Sequence, residues 1–292
     1  MQQGIAKLIG MYINVLAYVA PRYAGELGFQ LFCTPRRAPL KNNHRQFLDT
    51  SERSSFFHDG YRIQAYRWGR GPKKVLFLHG WESHTYRWKN YIEAFDHQEF
   101  SLYSFDAPGH GHSGGKYLNL PIYSQVLETF LQLAGPFDAI VSHSLGSFTA
   151  LHTFHRIGTA PVNQLVVTGV PGEVSEFFAF FKKALGLSRR AEGAIRNAFK
   201  RILHQSPEYY SAQVFVQGLD VPGLIIHDHG DIETPIHHAE AIHRAWKEST
   251  LIRTNGLGHN LRSPHVVKQV VAFLDDKTRK ASLPLPRALS QI

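Results

Sequence analysis

The chain has 292 residues, of which 43% are hydrophobic and 19% charged, and its formal net charge is +9. That length and balance describe a globular protein able to bury one large core, and they exclude a disordered chain. Cys33 is the only cysteine, which excludes an intrachain disulfide or a thiolate metal cluster and fits a reducing, cytoplasmic setting.

Residues 8–20 carry no charge, but thirteen residues fall short of the roughly 20 that a bilayer span requires. Tyr18 stands where a secretory cut after Ala20 would want a small residue, so the stretch reads as an amphipathic helix. It opens an N-terminal helical extension covering residues 1–50, where packing is favoured over contact with a membrane surface. Residues 62–68 alternate polar and apolar side chains, as a half-covered strand does. Short apolar runs at 75–78, 102–105, 139–141, 165–170 and 224–226 suit strands covered on both faces, with a further strand at 251–254. Helix-length stretches at 86–95, 121–134, 146–156, 235–247 and 264–274 separate them, three with proline at or near the first turn. This alternation predicts an α/β fold, a mostly parallel central sheet flanked by helices.

Between Pro171 and Asp220 the alternation stops. Helices are predicted at 174–185 and 190–203, with no strand between them. Phe177, Phe178, Phe180 and Phe181 make this insertion a lid over a pocket, or else glue it to the body. The core is therefore expected at 51–170 and 221–276, a helical cap at 171–220, and a loosely held tail at 277–292. Basic residues gather at Lys182, Lys183, Arg189, Arg190, Arg196, Lys200 and Arg201 against Glu192. A solvated helix face is the simpler reading; attraction of anionic substrates or an acidic surface is the sharper one. Zinc-finger spacing and single-strand-binding signatures are missing, so no nucleic-acid partner is expected.

The chemistry centres on Ser142-His143-Ser144-Leu145-Gly146, which follows the apolar run at 139–141 and precedes a helix-like stretch. A serine at such a strand–turn–helix junction is held at strained backbone angles with its hydroxyl raised clear of the sheet. Residues two places either side must be small; Gly146 is, and Ser142 stands where glycine is usual. A raised serine needs a base to take its proton and an acid to orient that base. After the strand at 224–226 comes His227-Asp228-His229-Gly230-Asp231, ahead of Thr234-Pro235. After the strand at 251–254 comes Asn255-Gly256-Leu257-Gly258-His259. Serine, carboxylate, histidine is the chain order expected of this architecture.

Over roughly residues 54–275 the chain resembles the α/β-hydrolase superfamily, on four stretches in the right order. They are His79-Gly80-Trp81, the run from Asp106-Ala107-Pro108-Gly109 to Ser113, the serine elbow, and the paired acid and Gly-His segments. The resemblance implies Ser144 as nucleophile, His259 as general base and Asp231 as acid, with Asp228 as the rival acid. It implies backbone oxyanion donors at Leu145 and Trp81. It also implies a serine hydrolase acting on a carboxylic ester or thioester, carboxylesterase- or lipase-like, without metal or organic cofactor. The partner would be a small-molecule ester with an apolar acyl group. A non-catalytic binding homologue and an acyltransferase are the alternatives.

Two further patterns compete. Gly109-His110-Gly111-His112-Ser113-Gly114 matches a dinucleotide fingerprint, yet no helix opens from it. His227-x-His229-x-Asp231 is similar to a zinc motif, but its sixth residue is Ile232 rather than histidine. His143, beside the nucleophile, is expected to face elsewhere and serve structure.

Overall fold

Apolar runs covered on both faces become the middle of one eight-stranded sheet. The computed structural model describes residues 2–275; the tail expected at 277–292 lies outside the described residues. The strands are β1 (Glu52–His58), β2 (Tyr61–Trp68), β3 (Lys73–Leu78), β4 (Phe100–Phe105), β5 (Ala139–His143), β6 (Gln164–Thr168), β7 (Gly223–Asp228) and β8 (Ser249–Thr254). Their order is β1-β2-β4-β3-β5-β6-β7-β8. Pairings of β2 with β1 and β4 are antiparallel and the others parallel. Successive side chains leave opposite faces. Leu76, Leu78, Ile140 and Val167 enter one core layer, while Val75, Phe77, Val141 and Val166 enter the other. β1 has no counterpart among the predicted strands. Its side chains are largely exposed, and its backbone pairing with β2 needs no apolar pattern.

Among the described residues the helices are α1 (Gln2–Val19), α2 (Pro21–Phe32), α3 (Asn42–Asp49), α4 (Lys89–Ile92), α5 (Leu120–Ala134) and α6 (Leu145–Ile157), then α7 (Val174–Leu185), α8 (Arg189–Leu203), α9 (Ala212–Phe215), α10 (Ile236–Ala245) and α11 (Pro264–Asp275). Asn119 caps α5 by accepting from Ile122 N, and Ser188 caps α8 by accepting from Ala191 N. The helix expected at 86–95 shortens to a 3-10 turn and α4. There Trp88, Tyr91 and Phe95 close around Phe77, so ring packing overrides helix propensity.

The helices expected at 174–185 and 190–203 form as α7 and α8, and these fasten to the N-terminal pair. A Cβ at Gly10 would lie 1.8 Å from Leu185 O, and one at Gly25 would lie 2.3 Å from Ala194 O, so only glycine allows these approaches. Phe32 of α2 meets Phe178 and Phe181 edge-on, so two of the four phenylalanines glue the insertion in place. The expected amphipathic N-terminal helix needs correcting. α1 buries Gly10, Ile13 and Ala17, but its outward side is apolar as well, with Leu8, Val15 and Val19 exposed. No helix among the described residues is long and apolar enough to cross a membrane.

Candidate active site

β5 delivers Ser144 at φ 53° and ψ −122°, a region that L-residues rarely occupy, directly before α6. The elbow holds because its neighbours leave room. A Cβ at Gly146 would lie 2.4 Å from Leu78 O, so that position tolerates glycine alone. Ser142 fits where glycine is usual because its hydroxyl donates to Val166 O at 2.8 Å on β6. Ser144 N donates to Thr168 O at 2.9 Å, which ties the turn to the same neighbouring strand.

The loop after β8 carries His259 to the elbow. His259 Nε2 lies 2.9 Å from Ser144 Oγ, and Nδ1 lies 2.8 Å from Asp231 Oδ2. With Nδ1–H donating to the carboxylate, Nε2 is left as the acceptor for the serine proton. Ser144 retains 7% of its surface, so the hydroxyl sits just below the rim rather than sealed in the core.

Asp231 Oδ1 accepts from Glu233 N and Thr234 N, both at 2.9 Å, and Oδ2 accepts from Thr234 Oγ1 at 2.8 Å. Burial alone would raise its pKa. Hydrogen bonds from His227, His259 and the Thr234 amide outweigh burial and hold the carboxyl well below the usual range. Asp228 does something different. It accepts from Gly230 N, Thr254 Oγ1 and Leu257 N, so it braces the loop that carries His259 without touching the imidazole.

Two more groups position that loop. His143 Nε2–H donates to His259 O at 2.9 Å, and Arg87 Nη2 donates to Asn260 O at 2.7 Å. His143 therefore turns toward the site, contrary to the sequence expectation that it faces elsewhere. Its service is structural all the same: burial first, then Arg87 and His259, keep its pKa far below 6.5 and its ring neutral.

The loop after β3 passes close to Ser144. A Cβ at Gly80 would lie 2.9 Å from Ser144 Cβ, so the backbone of this loop runs directly beside the elbow, with Trp81 as its next residue. Leu145 begins α6, and its N–H has no partner within the helix. A reciprocal histidine latch fixes this loop. His79 Nε2 accepts from Ala107 N at 3.0 Å, and His110 Nε2 accepts from Glu82 N at 3.0 Å. Each ring donates its Nδ1–H to a nearby carbonyl, His79 to Gly80 O and His110 to Pro108 O. Asp106 completes the tie by accepting from Thr85 N, His112 N and Tyr66 Oη. The sequence offered no signal for the latch beyond the motif residues themselves, because it forms only where two loops meet.

The competing patterns resolve as geometry. A Cβ at Gly111 would fall 2.1 Å from Asp106 Oδ2, so this glycine segment closes over a carboxylate. His227 is buried against Thr234 O and Asp231, whereas the His229 residue is exposed, and the two do not converge. Among the described residues one grouping, Glu176, His237 and His238, brings ligand-capable atoms within 4.8 Å, and Glu176 already pairs with His238.

Similarity to known proteins follows the same outline. Residues 71–259 match the hydrolase family described as serine aminopeptidase, S33. An esterase of Mycobacterium tuberculosis is 34% identical over 96 residues, covering 30% of this chain and 30% of the esterase, so this chain matches under a third of that protein's length. A bromoperoxidase from Bacillus anthracis superposes with a TM-score of 0.60 at 16% identity, over 77% of this chain and 100% of the other. An esterase from Rhodococcus superposes with a TM-score of 0.58 at 15% identity, over 77% and 98%. At such identities the two superpositions speak for the fold alone.

Proposed function

As this chain belongs to the serine aminopeptidase S33 family of α/β hydrolases, we propose that it is a serine hydrolase cleaving carboxylic esters or thioesters through an acyl-enzyme on Ser144. The observation that carries this reading is the continuous relay from Asp231 Oδ2 through both His259 nitrogens to Ser144 Oγ, with links of 2.8 and 2.9 Å. Ser144 Oγ attacks the carbonyl carbon while His259 Nε2 takes its proton. Asp231 holds the imidazole in the accepting tautomer and stabilises the imidazolium. The Trp81 and Leu145 amides receive the oxyanion. Collapse expels the alcohol or thiol, protonated by His259. Water then attacks the acyl-enzyme, with His259 again as base, and regenerates Ser144.

The partner in this reading is a small-molecule ester with an apolar acyl group. Residues 51–170 and 221–276 form the catalytic core, residues 171–220 its cap, and residues 1–50 an extension that the cap leans on. Support for a cap comes from α7 reaching back to the core through the Glu176–His238 pair, close after the acid loop. Hydrolysis of p-nitrophenyl esters from acetate to palmitate tests the activity and ranks acyl length. Turnover that vanishes in Ser144→Ala supports the proposal, and no turnover across the whole panel by folded protein opposes it.

A further inference from the structure

The outward side of α1 is unusual for a protein surface. Seven of the sixteen large apolar side chains exposed among the described residues lie on this one helix. Five of them, Ile5, Leu8, Tyr12, Val15 and Val19, recur at three- and four-residue spacing and are 55 to 76% exposed. They form a single stripe about 20 Å long opposite the buried Gly10, Ile13 and Ala17. α1 has no acidic residue. α7, on which it packs, adds the exposed Phe180. A contiguous apolar stripe of this extent marks an interaction surface.

The charges beside the stripe identify its occupant. On the neighbouring helices Glu26 pairs with Arg22 and Arg201, Glu192 with Lys182 and Arg196, and Glu176 with His238. Lys7, Lys183, Arg189 and Arg190 form no ion pair among the described residues. Lys7 donates to Lys183 O, while Arg190 donates to Ala17 O and lies over the Tyr18 ring, so Lys7 and Arg190 sit at the flank of α1 itself, with Lys183 and Arg189 next to them along α7 and α8. We infer that α1 is an interfacial docking helix that lies in the headgroup region of an anionic lipid bilayer, with its apolar stripe inserted and these cations facing lipid phosphates. An apolar stripe flanked by unpaired lysine and arginine is what such a surface selects. A second copy of the chain fits worse, because pairing two α1 stripes brings two sets of unpaired cations together. Residues 276–292 share the same sign, with Lys277, Arg279, Lys280 and Arg287 against Asp276.

The test reads binding rather than turnover, so its outcome is separate from that of the hydrolase reading. Full-length protein is sedimented with vesicles of phosphatidylcholine alone or mixed with phosphatidylglycerol, at low and high salt. Binding is expected to the anionic vesicles and to weaken with salt. Leu8→Glu and Val15→Glu should each lower partitioning about tenfold. Lys183→Ala and Arg189→Ala should each lower it about fivefold. Phe57→Glu, on the distant β1 strand, should leave it unchanged. All these side chains are exposed, and unaltered thermal melts confirm that the variants are folded. The inference is overturned if wild-type protein ignores anionic vesicles, if Leu8→Glu and Val15→Glu bind as wild type does, or if these variants instead break a dimer seen by analytical ultracentrifugation.

Discussion

Gly80→Ala isolates the contribution of the loop after β3. Gly80 is outside the left-handed region, so alanine brings no backbone strain and acts through its methyl group alone. That methyl would stand 2.9 Å from Ser144 Cβ and 3.2 Å from both His143 Nδ1 and His143 O. Ordinary contact begins at 3.4 Å, so the loop must withdraw by 3.4 − 2.9 = 0.5 Å or the elbow must give. The elbow is pinned by Ser144 N to Thr168 O and by the packing of Gly146 on Leu78 O, so the loop is the part that moves. Its Trp81 amide then stretches away from the oxyanion. Deleting an oxyanion donor costs about 10²–10³ in kcat, so a half-ångström misplacement should cost about 10–100-fold in kcat with KM little changed. Steady-state hydrolysis of a p-nitrophenyl ester measures both constants. Gly193→Ala, on α8 with nothing within 4 Å of the new methyl, serves as the neutral control. A Gly80→Ala enzyme that keeps kcat within twofold of wild type would refute the assignment of this loop to oxyanion binding.

The two candidate acids separate by different readouts. Asp231→Asn places an amide against His259 Nδ1 and favours the wrong tautomer, so kcat should fall by about 10⁴ with the fold intact. Asp228→Asn loosens the bonds to Thr254 and Leu257, so the melting temperature should drop while kcat falls less than tenfold; equal kcat losses in both would contradict the assignment. Acid should destabilise the fold through its buried histidines. Burial is the largest cause in each and lowers the pKa from 6.5 to about 3 for His79 and to about 4 for His84 and His152. The unfolded chain therefore takes up protons first as pH falls, and the stability present above 6.5 is lost progressively towards 4. Each group should contribute about 2 kcal/mol of loss at pH 5, readable as a falling urea midpoint, and a midpoint constant from pH 7 to 5 would contradict this.

The α/β core was legible because a parallel sheet covered on both faces leaves runs such as 75–78 and 139–141, with helices between them that must cover it. Ser144 stood out because a turn this tight dictates small neighbours, and His259 because a glycine-rich loop preceded it. The fold then brings these two and Asp231 within hydrogen-bonding distance. Other features depend on partners that no local pattern announces. β1 is held by backbone pairing at an edge, so exposed serines suffice there. His79 and His110 each accept from a backbone amide of the other's loop, Ala107 N and Glu82 N, about thirty residues away in the chain. The direction that α1 faces was hidden because both of its sides are apolar, and periodicity cannot tell which one is covered.

The most direct test of the central claim is covalent labelling by a fluorophosphonate, with the adduct located by mass spectrometry of peptides. The account expects one phosphonylated residue, Ser144, with labelling abolished in Ser144→Ala and strongly slowed in His259→Ala. Folded wild-type protein that takes up no probe, or takes it up on a different serine, would contradict it.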